Sequence, residues 1–332
     1  MLAFRTAIAA ALGLAAVAAH PASAAMTLTA QGIALGFTLT DVVTGFPGGG
    51  IGPLGLAVNS DHHIMVDSSS DNRNYIFNDT NNQTFASALS STSFVAFPPA
   101  YAYSQATGKV YGSGGFSGPN ANQFLQFNND GTINHVITPN VPVTNGMWAN
   151  PVNGHILAAG GSGIYDINVV TETARLVTSN TSDGITISAD GTKLYTYDGG
   201  IFDIATGASL GNFGSVSGAD GMGIITSSNP ATNGDIVVNT TDGRLVLVDI
   251  DSVLFTQTVI ASGGSRGDYT AADWTNGSLL LTQSNDILRL DCGSGCSVGS
   301  TPTPEPASVL LLAAGLLSLA GLRRLNTYAA RR

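Results

Sequence analysis

Charge is scarce in this chain: only 10% of its 332 residues are Asp, Glu, Lys or Arg, and Lys and Arg together number 12. So few basic residues exclude a nucleic-acid or anionic-membrane footprint, which needs Lys and Arg gathered on one face. Cysteine is almost missing, with Cys292 and Cys296 alone in the run CGSGC, and no second pair exists to complete a metal site with them. Helical periodicity of useful length is missing between the two ends. So are the H-E-x-x-H, G-x-S-x-G, Walker and EF-hand patterns, which removes the usual metalloprotease, serine-hydrolase, nucleotide and calcium-loop readings.

The two ends differ from the middle. Arg5 stands before an uncharged Ala/Leu-rich run, Thr6 to Ala19, and Ala22-Ser23-Ala24 then offers small residues at the positions a signal peptidase inspects. The expectation is a signal helix in residues 1–24, removed by cleavage after Ala24 or Ala25. At the other end Pro304-Glu305-Pro306 closes a proline-rich stretch. It is followed by the apolar segment Ala307–Leu322 and the basic residues Arg323, Arg324, Arg331 and Arg332. Sixteen helical residues rise about 24 Å, short of the ~30 Å hydrocarbon core, a mismatch that snorkelling arginines can cover. The basic end should stay cytoplasmic, leaving the body outside.

This order of Pro-Glu-Pro, apolar helix and Arg323-Arg324 resembles the PEP-CTERM sorting signal of exopolysaccharide-producing Gram-negative bacteria. The resemblance covers residues 301–332. It implies processing by an exosortase-type transpeptidase near the motif, after transient anchoring in the inner membrane, and delivery to the cell surface or extracellular space.

Between Ala25 and Pro304 seven basic residues face 21 acidic ones, a net charge of −14 for the mature body. Cations or neutral glycans suit such a surface. In an oxidising compartment Cys292 and Cys296 are expected to pair, since the two glycines between them let the backbone bend.

The body reads as repeats. Six segments share the form apolar strand, Asn/Asp/Gly turn, apolar strand: Gly55–Val66, Ala102–Gly112, Gly146–Ala159, Gly184–Tyr197, Gly223–Val238 and Ala271–Thr282. Their second strands open at His63, Lys109, His155, Lys193, Asp235 and Ser278, spaced by 46, 46, 38, 42 and 43 residues. That is the period of a four-stranded propeller blade. The expected fold is an all-β, six-bladed β-propeller over residues 25–300, with seven blades or an irregular sandwich as alternatives. Blade 6 lacks an outer strand before Cys292, and Gly36–Val43 could fill it and close the ring. The first repeat, GPLGLAVNSDHHIMV, is similar to an NHL-type repeat, which implies fold and not function.

Candidate chemistry is sparse. Asp61-His62-His63, His135 and His155 fall at or beside hairpin turns, and no nucleophile triad accompanies them. A gluconolactonase-like propeller would carry Glu-Gly-Pro before the first inner strand. Here Ile51-Gly52-Pro53 stands there, and the metal-binding Glu is missing.

One constellation stands out. The loops leading into successive inner strands supply Leu54, Pro99, Asn145, Asp183, Asp220 and Asp268, which a propeller gathers at one mouth of its channel. Asn145, Asp183, Asp220 and Asp268 make an oxygen-rich set suited to Ca²⁺, and crowded carboxylates call for a counter-ion. The plainer alternative is that each Asp caps a turn before its glycine. The resulting expectation is a non-catalytic surface propeller that binds polysaccharide or an envelope protein. The alternative is a Ca²⁺-dependent lactonase-, lyase- or glycan-hydrolase-like enzyme.

Overall fold

The computed structural model describes residues 25–47, 51–97, 99–137, 141, 143–252 and 254–298. The expected signal helix of 1–24 and the sorting tail of 301–332, with Pro304, Glu305, Pro306, Arg323 and Arg324, lie outside the described residues.

Six antiparallel sheets follow one another along the chain. Blade 1 is Pro53–Val58, His63–Ser68, Arg73–Asn78 and Ser90–Ser93; blade 2 is Tyr101–Ser104, Lys109–Ser113, Phe124–Phe127 and Ile133–Val136. Blade 3 is Val143–Ala149, Ile156–Gly160, Gly163–Asn168 and Thr173–Thr178; blade 4 is Ile185–Ile187, Lys193–Thr196, Gly200–Asp203 and Ser209–Asn212. Blade 5 is Ala219–Ser227, Ile236–Thr240, Leu245–Val248 and Gln257–Ser262. Blade 6 takes Gly267–Ala272, Leu279–Gln283 and Ile287–Asp291 from the C-terminal side and its fourth strand, Thr38–Thr44, from the N-terminal side. The first strand of each blade packs beside that of the next, and blade 6 returns to blade 1, so the ring is closed around a channel.

Each sheet is covered on both faces by its neighbours, which is why the middle strands read as continuous apolar runs rather than alternating ones. Between blades 2 and 3 lie Tyr111, Phe124, Met147 and Ile156; between blades 4 and 5, Tyr195, Phe213, Met222 and Ile236. Between blades 6 and 1, Val43, Leu280 and Ile287 meet Leu56, Ile64 and Phe77. The outermost strands of blades 2 and 4 are wholly exposed.

Closure follows the expectation from Gly36–Val43, with the strand starting two residues later and ending one later, at Thr38–Thr44. Leu39 pairs with Leu290, Thr40 with Arg289, and Thr38 with Asp291. Ahead of this strand, Thr27–Leu28 adds to the edge of blade 5, and the short helix Ala30–Ala34 crosses from blade 5 to blade 6. Thr29 caps that helix by accepting the Gly32 N–H at 3.1 Å. A buried ion network fastens the same seam: the Arg289 guanidinium donates to Asp79, to Asn81 at 2.7 Å and to Asp273 at 3.1 Å. Cys292 and Cys296 form the expected disulfide, with Cα atoms 5.5 Å apart. Cys296–Val298 then pairs with the far end of the blade 5 inner strand.

Candidate functional site

Three of the residues singled out above precede glycines: Asn145-Gly146, Asp183-Gly184 and Asp220-Gly221. The structure gives these doublets a reason other than a turn. A Cβ on Gly146 would stand 2.1 Å from the Asp183 carbonyl oxygen, and one on Gly184 would stand 1.6 Å from that of Asp220. On Gly221 it would meet Thr270 and the Asp268 carbonyl within 2.9 Å. Inner strands crowd against one another around the axis, and only glycine lets each backbone approach the next. The Gly146 N–H uses that closeness, donating to the Asp183 carbonyl at 2.6 Å.

The side chains are thereby presented to the channel mouth. Leu54, Pro99, Asn145, Asp183, Asp220 and Asp268 all line one cavity of about 130 Å³, joined by Ile51, Phe97, Ala100, Gly146, Arg266 and Tyr269. Blades 1 and 2 give it an apolar wall, and blades 3 to 6 a polar one. Tyr269 reaches across the channel from blade 6, accepting the Tyr101 N–H at 3.0 Å and donating to the Tyr101 carbonyl at 2.8 Å.

Turn capping is not what these aspartates do. Among the described residues, neither the Asp183 nor the Asp220 carboxyl accepts a backbone N–H. Asp268 is held by a side chain: Arg266 Nε lies 2.8 Å from Oδ1 and 3.0 Å from Oδ2, and its Nη2 also faces Asp220 Oδ2 at 3.8 Å. Arg266 is the residue that sequence reasoning missed, although it stands two positions before Asp268 in a body with seven basic residues.

Electrostatics divide the carboxyls. Burial, then the charges of Asp268 and Asp183, push the Asp220 carboxyl up to about 9, against the pull of Arg266. At neutral pH Asp220 therefore keeps its proton and shares a hydrogen bond with Asp268. Asp183 is also raised, by burial first and the Asp268 charge second, with Arg266 opposing. Asn145 is fixed by its amide, which donates to the Ser182 carbonyl at 3.2 Å.

The carboxylates were expected to need a counter-ion, and they have one in Arg266. Ca²⁺ asks for ionised, outward oxygens. Here both Asp268 oxygens are taken by the guanidinium, whose Nη2 also stands 3.8 Å from Asp220 Oδ2. Among the described residues no group of three or more His, Cys, Asp or Glu side chains is arranged to hold a metal. Asp183, Asp220 and Asp268 thus do not fit the cation that the sequence suggested. Ile51, where the gluconolactonase-like pattern has its metal-binding Glu, contributes an apolar wall.

The histidines lie elsewhere. His62 takes a positive φ of 60° in the first hairpin turn and packs edge-on against Trp274. His155 Nδ1 bonds Asp166 at 2.9 Å, and His135 Nε2 bonds Glu172 at 2.8 Å. None lines the cavity.

No family model and no curated protein matches the chain. Solved structures do match in fold. A gluconolactonase from Xanthomonas campestris superposes with a TM-score of 0.57 at 14% identity, over 80% of this chain and 94% of that one. A putative gluconolactonase superposes with a TM-score of 0.54 at 12% identity, over 76% of this chain and 97% of that one. At such identities the likeness establishes the propeller fold and stops there.

Proposed function

We propose that the channel-mouth cavity takes a small, uncharged, oxygen-rich molecule, a sugar lactone or the end of a neutral glycan, and hydrolyses it by general acid–base catalysis through the chain's own carboxyls. One arrangement carries this reading: within a single cavity, Asp220 is buried beside Asp268, which raises its carboxyl to about 9, while Asp268 is clamped by Arg266. A carboxyl kept protonated near neutral pH is able to serve as the acid of such a site.

In this mechanism Asp220 donates its proton to the leaving oxygen, while Asp183, made more basic by burial, takes a proton from the attacking water. Asp268 accepts the Asp220 proton in a hydrogen bond and holds it in place, and Arg266 fixes Asp268. Among the described residues the second amide hydrogen of Asn145 has no acceptor and faces the cavity, where a substrate oxygen would take it. The apolar wall of Leu54, Phe97 and Pro99 suits the face of a sugar ring, and the −14 charge of the body disfavours anionic substrates. The gluconolactonase and putative gluconolactonase of the same fold support the substrate class, and Ile51, standing where the gluconolactonase-like pattern has Glu, supports catalysis by the chain's own carboxyls.

The proposal extends to location. The leader-like and PEP-CTERM-like ends support export, signal-peptidase and exosortase-type processing, and a site of action at the cell surface or in the matrix. Mass spectrometry of the mature protein from its host tests that part, because an intact residue 1 or 332 would contradict it. Purified protein offered a panel of neutral lactones and oligosaccharides tests the site. Turnover lost in Asp220→Asn and Asp183→Asn supports it. Silence across the panel with glycan binding retained would leave the non-catalytic surface-binding role, and silence with no binding would remove both.

A further inference from the structure

A second cavity, of about 70 Å³, lies at the seam where the N-terminal segment closes the ring. Its wall includes Ala25 and Met26 together with Asp41, Asp286 and Gln283. Among the described residues no Lys or Arg lines it, so two carboxyls face it without a cation. Asp286 accepts the Gly45 N–H at 3.0 Å through Oδ1, and burial still raises its carboxyl. Gln283 is only 3% exposed. Its amide nitrogen donates to Thr282 and Asn239, yet among the described residues its buried Oε1 accepts from no group. A buried acceptor and two carboxyls therefore lack a positively charged donor.

Ala25 lines the same cavity, one residue past the Ala22-Ser23-Ala24 run. We propose that export processing makes Ala25 the first residue, and that its new α-ammonium is held in this cavity by Asp286, Asp41 and the Gln283 amide oxygen. Hydrolysis of the 24–25 peptide bond supplies the group: water adds across it, residue 24 leaves with a carboxylate, and Ala25 keeps an amine that protonates. The unprocessed chain has a neutral amide there and lacks the contact. Processing would thus tighten the strap that Thr27–Leu28 and Thr38–Thr44 lay over blades 5 and 6, after the chain has crossed the membrane.

The test uses the full chain, expressed with its leader and purified after processing. Four forms are melted: the natural one, Asp286→Asn, an insertion of Gly-Ser between Ala25 and Met26, and the two changes combined. The insertion keeps the cleavage signal and moves the ammonium roughly 7 Å along the chain. Asn at 286 retains the acceptor for Gly45 and removes only the charge. N-terminal sequencing is expected to begin at Ala25. The insertion and Asp286→Asn should each lower Tm by about 2–4 °C, and Asp286→Asn should cost nothing further once the insertion is present. A mature chain beginning at another residue, an unchanged Tm on insertion, or an Asp286→Asn cost equal in both backgrounds would each overturn the proposal. None of these results bears on the channel-mouth site.

Discussion

Replacing Asp220 with Asn should stabilise the protein at neutral and alkaline pH while removing its activity. An Asp whose native carboxyl is raised binds its proton more tightly folded than unfolded, so between the two values the native state holds the extra proton. The stability associated with Asp220 is therefore fully present below pH ~4, near the value of a free Asp, and is lost progressively as pH rises to about 9. At pH 7 the loss spans roughly three units, and at 1.36 kcal/mol per unit this comes to about 4 kcal/mol. Asn has the shape of the protonated acid, can donate to Asp268 through its amide, and never ionises. Urea unfolding of both proteins between pH 5 and 9 measures the difference. Asp220→Asn should match wild type near pH 5 within about 1–2 kcal/mol, exceed it increasingly above pH 7, and show the flatter profile. Wild-type stability that rises between pH 5 and 8, or an Asn variant no more stable at pH 8, would refute the protonated-carboxyl assignment. The trade is the usual one at a working site, where stability is given up to hold a reactive group in the wrong charge state for burial.

Three further outcomes are expected. Gly184→Ala forces a methyl group to 1.6 Å from the Asp220 carbonyl and should cost about 3 kcal/mol or more by overpacking, read from chemical denaturation. A loss below about 1 kcal/mol would contradict the close inner-strand approach. Arg289→Ala strips the seam of its buried cation and leaves Asp79 and Asp273 facing each other. It should cost about 3–5 kcal/mol, whereas an exposed pair would cost less than about 1. Replacing both Cys292 and Cys296 with Ser opens a five-residue loop and should cost only about 2 kcal/mol. Lactone turnover should be unchanged, because neither residue lines the cavity.

The blades were legible because each second strand starts where an Asn/Asp/Gly turn releases an apolar run. Three of the six starts inferred from sequence, His63, Lys109 and Lys193, are where the strands begin. The other three, His155, Asp235 and Ser278, lie one residue early. The closing strand was legible as well, because blade 6 runs out of sequence at Cys292 while an unassigned strand lies ahead of blade 1. The gathering of Asn145, Asp183, Asp220 and Asp268 followed from the repeat alone, since equivalent positions of a ring must meet at its axis. Charge compensation was not legible. Arg266 neutralises Asp268 through a side chain that folds back over two residues, and nothing in the repeat register predicts that direction. The glycines after the aspartates were equally misleading, because a doublet that usually marks a turn is required here by backbone contact between neighbouring blades. The strap of residues 27–34 across blade 5 was missed because Thr27–Leu28 is too short to carry a period.

The pH–rate profile for hydrolysis of a neutral sugar lactone, taken with a metal chelator present and the uncatalysed rate subtracted, tests the central claim most directly. Turnover should persist in chelator, fall as pH rises through about 9, and vanish in Asp220→Asn. A rate abolished by the chelator, or one that Asp220→Asn leaves intact, would contradict an acid made from the protein's own buried carboxyl.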